Sequence, residues 1–127
     1  MGSVCFRTGR LAGHLAMDGI SLEEFEQLVV AVCGDSPVVE SISVYETRSN
    51  AIRLRIILKD RTFLDAFYNE WKGRVAFAWI ANNERIFGAD NAGGWHWHPV
   101  EDVTLHVSSD HEITFEEFFL QVEKLVK

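Results

Sequence analysis

Only two cysteines stand among the 127 residues, Cys5 and Cys33, and neither belongs to a C-x-x-C pair. Zinc ribbons and dithiol redox motifs are thereby excluded, and free thiols in a reducing cytoplasm are the expected state. Long apolar runs are missing as well. No stretch approaches the roughly 20 residues of a membrane helix, and "MGSVCFRTGRLAGHLAMDG" lacks the continuous apolar segment of a signal peptide. No membrane partner is expected, and a cytoplasmic location follows. Met1-Gly2 does not read as a myristoylation signal, because Phe6 stands where Ser or Thr is required. Basic residues are also scarce: 12 Lys and Arg against 19 Asp and Glu leave a formal net charge of −7. A general nucleic-acid binder with a wholly basic surface is excluded by that balance.

What is present is enough for one core. A 127-residue chain that is 47% hydrophobic supports a single domain and leaves little for a second. Residues 1–16 carry Arg7 and Arg10, no acids and no periodicity, and read as a flexible leader before a single domain over 17–127. Charge is unevenly spread. From Arg48 to Arg85 eight basic residues face four acids, Asp60, Asp65, Glu70 and Glu84, so this third is about +4 while the remainder is strongly acidic.

Ser21-Leu22-Glu23-Glu24 has the form of a capping box, followed by Leu22, Phe25, Leu28, Val29 and Val32 at helical spacing, with a stop at Gly34 and Pro37 beyond. Thr114-Phe115-Glu116-Glu117 repeats the device before a stripe of Phe115, Phe118, Phe119, Val122, Leu125 and Val126. Between them the period falls to two. "ESISVYE" points Ile42 and Val44 inward, and "AIRLRIILK" puts Ile52, Leu54, Ile56 and Leu58 on one face with Arg53, Arg55 and Lys59 on the other. Thr62 to Trp71, "RVAFAWIA" and "RIFGAD" follow as strands, the last two joined by a tight Asn82-Asn83 turn. The predicted fold is α+β: an antiparallel sheet of about five strands, with an N-terminal and a C-terminal helix packed on the face opposite Arg53 and Arg55.

The chemistry gathers in "GADNAGGWHWHPVEDVTLHV", residues 88–107, which holds three of the five histidines and two of the four tryptophans. On an extended backbone His96 and His98 leave one face and Trp95 and Trp97 the other. Gly93-Gly94 permits a sharp entry, Pro99 ends the strand, and the chain can return with His106, placing three imidazoles in one cleft beside Asp90. Such a set can bind a metal, with Asp90, Glu101 or Asp102 adding oxygen. It can equally run acid and base chemistry on a ribose 2′-hydroxyl and a 5′-oxygen, with Arg53, Arg55 or Arg85 facing the phosphate. It can also be a plain hydrogen-bonded polar cleft. The pattern names no cofactor. Trp95 and Trp97 can stack bases or pack, and Asp90 can orient a histidine.

"RIFGADN", a short loop and "HWHPVEDVTLHV" together resemble the TumE-like toxins, small prokaryotic proteins of toxin–antitoxin pairs. The order of elements matches from about Val38 to Lys127, and the specific residues lie between Arg85 and His106. Here Trp97 separates two histidines that are often adjacent in that family, and a lone His106 stands for a second cluster. The resemblance implies a toxin role, a cognate antitoxin partner, and site positions at Asp90, Asn91, His96, His98 and His106. Two functional classes result. One is an intracellular toxin acting as a ribonuclease on RNA, with catalytic His96, His98, His106 and Asp90 and with Arg53, Arg55, Arg85, Asn91, Trp95 and Trp97 holding substrate. The other is a non-enzymatic protein- or nucleic-acid-binding module.

Overall fold

The computed structural model describes residues 19–126. The leader expected over residues 1–16, and the expected domain start at Met17, lie outside them. In chain order the elements are α1 (Leu22–Cys33), β1 (Val39–Thr47), β2 (Ala51–Leu58), β3 (Phe63–Asn69), β4 (Arg74–Ala81), β5 (Glu84–Asp90), β6 (His96–His98), β7 (Val107–Ser108) and α2 (Phe115–Leu125). Each strand pairs antiparallel with the next, giving one meander in the order β1 to β7. The sheet therefore has seven strands rather than about five. The two additions are three and two residues long: β6 is the extended His96–His98 segment, whose pairing into the sheet its alternation does not reveal, and β7 is too short for any period to register.

The helix signals act as expected at α1 and by half at α2. Ser21 accepts from the Glu24 amide at 3.0 Å while Glu24 accepts from the Ser21 amide at 2.8 Å, a complete capping box. At α2 the Thr114 hydroxyl accepts from the Glu117 amide at 3.1 Å, but the Glu117 carboxylate turns to His111, with Oε2 3.1 Å from Nε2. One face of the sheet is buried by both helices. Phe25, Leu28 and Val29 of α1 and Phe115, Phe118, Phe119 and Val122 of α2 cover Ile52, Leu54, Ile56, Leu58, Leu64, Ala66, Tyr68, Val75, Phe77, Trp79, Phe87 and Ala89. Phe77 meets Phe115 and Phe118 at 5.4 Å between ring centroids, and Phe87 stacks on Phe118 at 5.4 Å. Such aromatic pairs add about 0.5–1.5 kcal/mol each beyond the area they bury. The predicted stripes end early: Val44, at the β1 margin, and Leu125 stay 45% and 44% exposed. Trp71 lies beyond the end of β3 and is also exposed.

The other face carries Arg53 and Arg55, as the alternation predicts, yet neither is a free cation. The Arg55 guanidinium lies 3.9 Å from the Tyr45 ring centre and 4.1 Å from that of Phe63, and pairs with Asp65 at 3.5 Å. Arg53 lies 4.8 Å over Phe67 and 3.5 Å from Glu46. Their partners stand on neighbouring strands, where a single-strand pattern does not reveal them.

One irregularity matters most for the site. Trp79 pairs with Phe87 but Ile80 pairs with Arg85, so β5 contains one extra residue relative to β4. Without that bulge Arg85 would share the core face of Phe87 and Ala89; with it, Arg85 joins the open face. Its aliphatic stem crosses Gly88, where a Cβ would stand 2.9 Å from the Phe77 carbonyl oxygen and 3.3 Å from Arg85 Cδ.

Two measurements check this architecture. Leu54→Ala should cost about 2–5 kcal/mol in urea unfolding, whereas Arg53→Ala should cost only about 0.5–1 kcal/mol, the value of a partly exposed cation–π contact. The opposite ranking would contradict the register. Gly88→Ala should lower stability by about 1–3 kcal/mol through overpacking; an unchanged melting temperature would show that the approach of β4 and Arg85 is slack.

Candidate functional site

The segment after β5 is built from turns that bring its polar residues back onto the open face. Asn91 is spent on the backbone: its Oδ1 accepts from the Val75 amide at 2.9 Å and its Nδ2 donates to the Gly73 carbonyl at 2.8 Å, fastening the start of β4. Gly93 and Gly94 take φ of 69° and 110°, a left-handed pair that reverses the chain into β6 at little steric cost. Pro99 follows β6 directly. The Pro99 carbonyl accepts from the Asp102 amide at 3.2 Å, and Asp102 Oδ1 then accepts from the Thr104 amide at 3.1 Å and its hydroxyl at 2.6 Å. This folded loop returns the chain to β7 and carries His106 with it.

Across the ladder Asp90 faces His96 and Gly88 faces His98, so Asp90 reaches one imidazole directly and the other diagonally. His96 and His98 are buried, as is Asp90, while His106 is exposed. The three rings form a near-equilateral triangle, with centroids 4.8 Å apart for His96 and His98 and 4.7 Å from His106 to each. Asp90 Oδ1 lies 3.2 Å from His96 Nε2 and also accepts from the Ala92 amide at 3.0 Å; its Oδ2 lies 2.9 Å from His98 Nε2. Burial works against the carboxylate's charge, but the Ala92 amide, the His98 contact and the neighbouring imidazoles outweigh it and hold the Asp90 carboxyl below its usual range.

The opposite ring nitrogens are also tied down. His96 Nδ1 lies 3.0 Å from the Gly94 carbonyl oxygen, and His98 Nδ1 lies 3.2 Å from that of Val103. Carbonyl and carboxylate oxygens only accept, so each ring faces acceptors at both of its nitrogens, more than the single N–H of a neutral imidazole can serve. Arg85 Nη2 stands 3.5 Å from His98 Nδ1, at the outer limit of a hydrogen bond, and acts chiefly as an adjacent charge. The arrangement can orient imidazoles, accept or deliver protons, and offer three nitrogen lone pairs to a cation.

The sequence-derived candidates thus divide by position. Asp90, His96, His98 and His106 come together, with Arg85 beside them. Arg53 and Arg55 share their face but stand on β2, four strand spacings or about 19 Å from β6. Trp95 and Trp97 lie on the helix side, stacked on Phe77 at 6.4 Å and Phe87 at 5.6 Å. Gly88 is the residue that sequence reasoning passed over; its signal was a glycine inside a strand pattern, which marks a close approach. His111 stands apart between Asp110 and Glu117, whose contacts raise its pKa. Cys33 is a free, buried thiol pushed up to about 12 by burial and by the charge of Glu123, which suits packing rather than reactivity. Among the described residues no helix is long and apolar enough to cross a membrane.

Comparison with known proteins agrees with the resemblance in the residues. No curated protein and no solved structure matches the chain. The sequence profile of one family, described as Toxin TumE, matches residues 26–126, beginning within α1 and so extending further than the stretch from Val38. The match spans both helices, the whole sheet and the histidine triangle, and on that ground the chain belongs to the TumE toxin family.

Proposed function

We propose that the chain is the toxin component of a toxin–antitoxin pair and that it cleaves RNA at the cluster of His96, His98, His106 and Asp90. The observation that carries this reading is the gathering of three imidazoles, 4.7–4.8 Å between ring centroids, around one buried carboxylate. Transfer of a phosphodiester to the ribose 2′-hydroxyl requires a proton to leave that hydroxyl, a proton to reach the departing 5′-oxygen, and positive charge near the phosphate. His106, the exposed ring, is the first that a substrate meets. His96 and His98 lie beneath it, oriented by Asp90 and by the Gly94 and Val103 carbonyls. Arg85 is exposed and adjacent, and supplies the charge. Arg53 and Arg55 would meet a neighbouring stretch of the same strand.

A cognate antitoxin protein is the partner that this role requires, and the cytoplasm, where RNA and antitoxin meet, is the location. The reading as a non-enzymatic module draws on the tryptophans and the acidic helices as a protein interface; Trp95 and Trp97 each stack one side on Phe77 and Phe87 and stay half-buried, while the gathered imidazoles favour the catalytic reading.

Expression of the chain should arrest growth, with RNA fragments appearing before arrest. In purified protein His106→Ala should slow cleavage about 10²–10⁴-fold, the usual contribution of a proton-transfer group. Arg85→Ala should slow it about 10²–10³-fold, as loss of a charge-stabilising donor does. Because His106 and Arg85 are exposed, melting temperatures should hold, and His111→Ala should act as wild type. Growth arrest with intact RNA, or full toxicity of both variants, would overturn the proposal.

A further inference from the structure

The two buried imidazoles pose a problem of electron pairs. With Nδ1–H given to the Gly94 and Val103 carbonyls, at 3.0 and 3.2 Å, a neutral His96 or His98 presents an Nε2 lone pair. Both lone pairs face oxygens of Asp90, 3.2 and 2.9 Å away, and oxygen lone pairs oppose them. A positive centre between them relieves that opposition. A single dication in the same space draws all the lone pairs inward.

The remaining geometry favours the dication. Each of His96, His98 and His106 offers a nitrogen within 4.8 Å of those of the other two. Ligands of one tetrahedral zinc, bound at about 2.0–2.1 Å, stand roughly 3.3 Å from one another. The contacts of Asp90 with the two Nε2 atoms, at 2.9 and 3.2 Å, already have about that spacing, and the His106 nitrogen, within 4.8 Å of the other two, closes the set by moving inward. Nδ1–H donation to main-chain carbonyls is the outer-shell arrangement that fixes a metal-binding imidazole with Nε2 turned to the ion. Three nitrogens and one carboxylate suit zinc and its neighbours in the first transition row, whereas magnesium and calcium prefer oxygen.

We infer that His96, His98, His106 and Asp90 form a binding site for one divalent transition metal ion of the zinc class. The ion lies on the open face of the sheet with its exposed side under His106, next to the Arg85 guanidinium. The inference stands on the ligand geometry and does not depend on RNA cleavage; if cleavage occurs there, the bound ion would supply a Lewis acid.

The test uses the full chain, stripped with a chelator and dialysed. Zinc chloride titrated by calorimetry should bind at one equivalent per chain and raise the melting temperature, since an ion that binds only the folded state stabilises it. Magnesium chloride should do neither. Cobalt(II) should give the intense visible bands of a four-coordinate site. His106→Ala, which removes an exposed ligand and leaves the fold in place, should weaken zinc binding at least tenfold and alter the cobalt spectrum; His111→Ala should change neither. Absence of binding at one equivalent, equal affinity in His106→Ala, or binding lost in His111→Ala would overturn the site. Cleavage of RNA by stripped protein that takes up no zinc would overturn the metal and leave the nuclease standing. Tight zinc binding without cleavage would do the reverse.

Discussion

Everything in this fold follows from covering one face of the sheet and leaving the other open. The two helices consume the apolar half of every strand from β2 to β5, so the alternate half is free of the duty of forming a core. In a strict two-residue period that freedom is inherited by every second residue, from Arg53 on one side of the sheet to His98 on the other. The histidines are therefore not an insertion into the fold. They occupy the positions that a one-sided core leaves available.

Burial on the open face comes from a different source. No helix covers Asp90, His96 and His98 there; the glycine turn, the Pro99 loop and the returning His106 enclose them instead. A carboxylate shielded from water in this way has to be compensated locally, and the Ala92 amide and two imidazoles do so. The bulge in β5 adds a guanidinium to the same neighbourhood. Asp90, Gly88 and Arg85 all belong to β5, so one strand supplies the anchor of the site, the space beside it and its nearest cation.

Much of this was legible in the residues. The caps at Ser21 and Thr114, the apolar faces of β2 and β4, the Asn82-Asn83 reversal with both φ positive, and the division of His96 and His98 from Trp95 and Trp97 all follow from local chemistry. What was hidden depends on pairing between strands. Arg55 reads as a solvated cation until Tyr45 and Phe63 are set on its two sides. Arg85 reads as a phosphate-facing cation, but only the one-residue slip in β5 shows how it reaches the open face beside His98. Asn91 reads as a site residue until Gly73 and Val75 claim its amide. A strand as short as β7 leaves no periodic trace, and both β6 and β7 exist because longer neighbours offer them a ladder.

The meander also sets an order of events. Each strand pairs only with its neighbour in sequence, so the sheet can grow from β1 onward as the chain is synthesised. Phe77 and Phe87, however, find Phe115 and Phe118 only in α2, the last element, and the strands bearing those rings also carry the floor beneath the histidines. Until α2 docks, the platform under the cluster lacks its backing. Docking of the last element in the chain is therefore what completes the support under Asp90, His96 and His98, although none of these residues adjoins α2 in sequence.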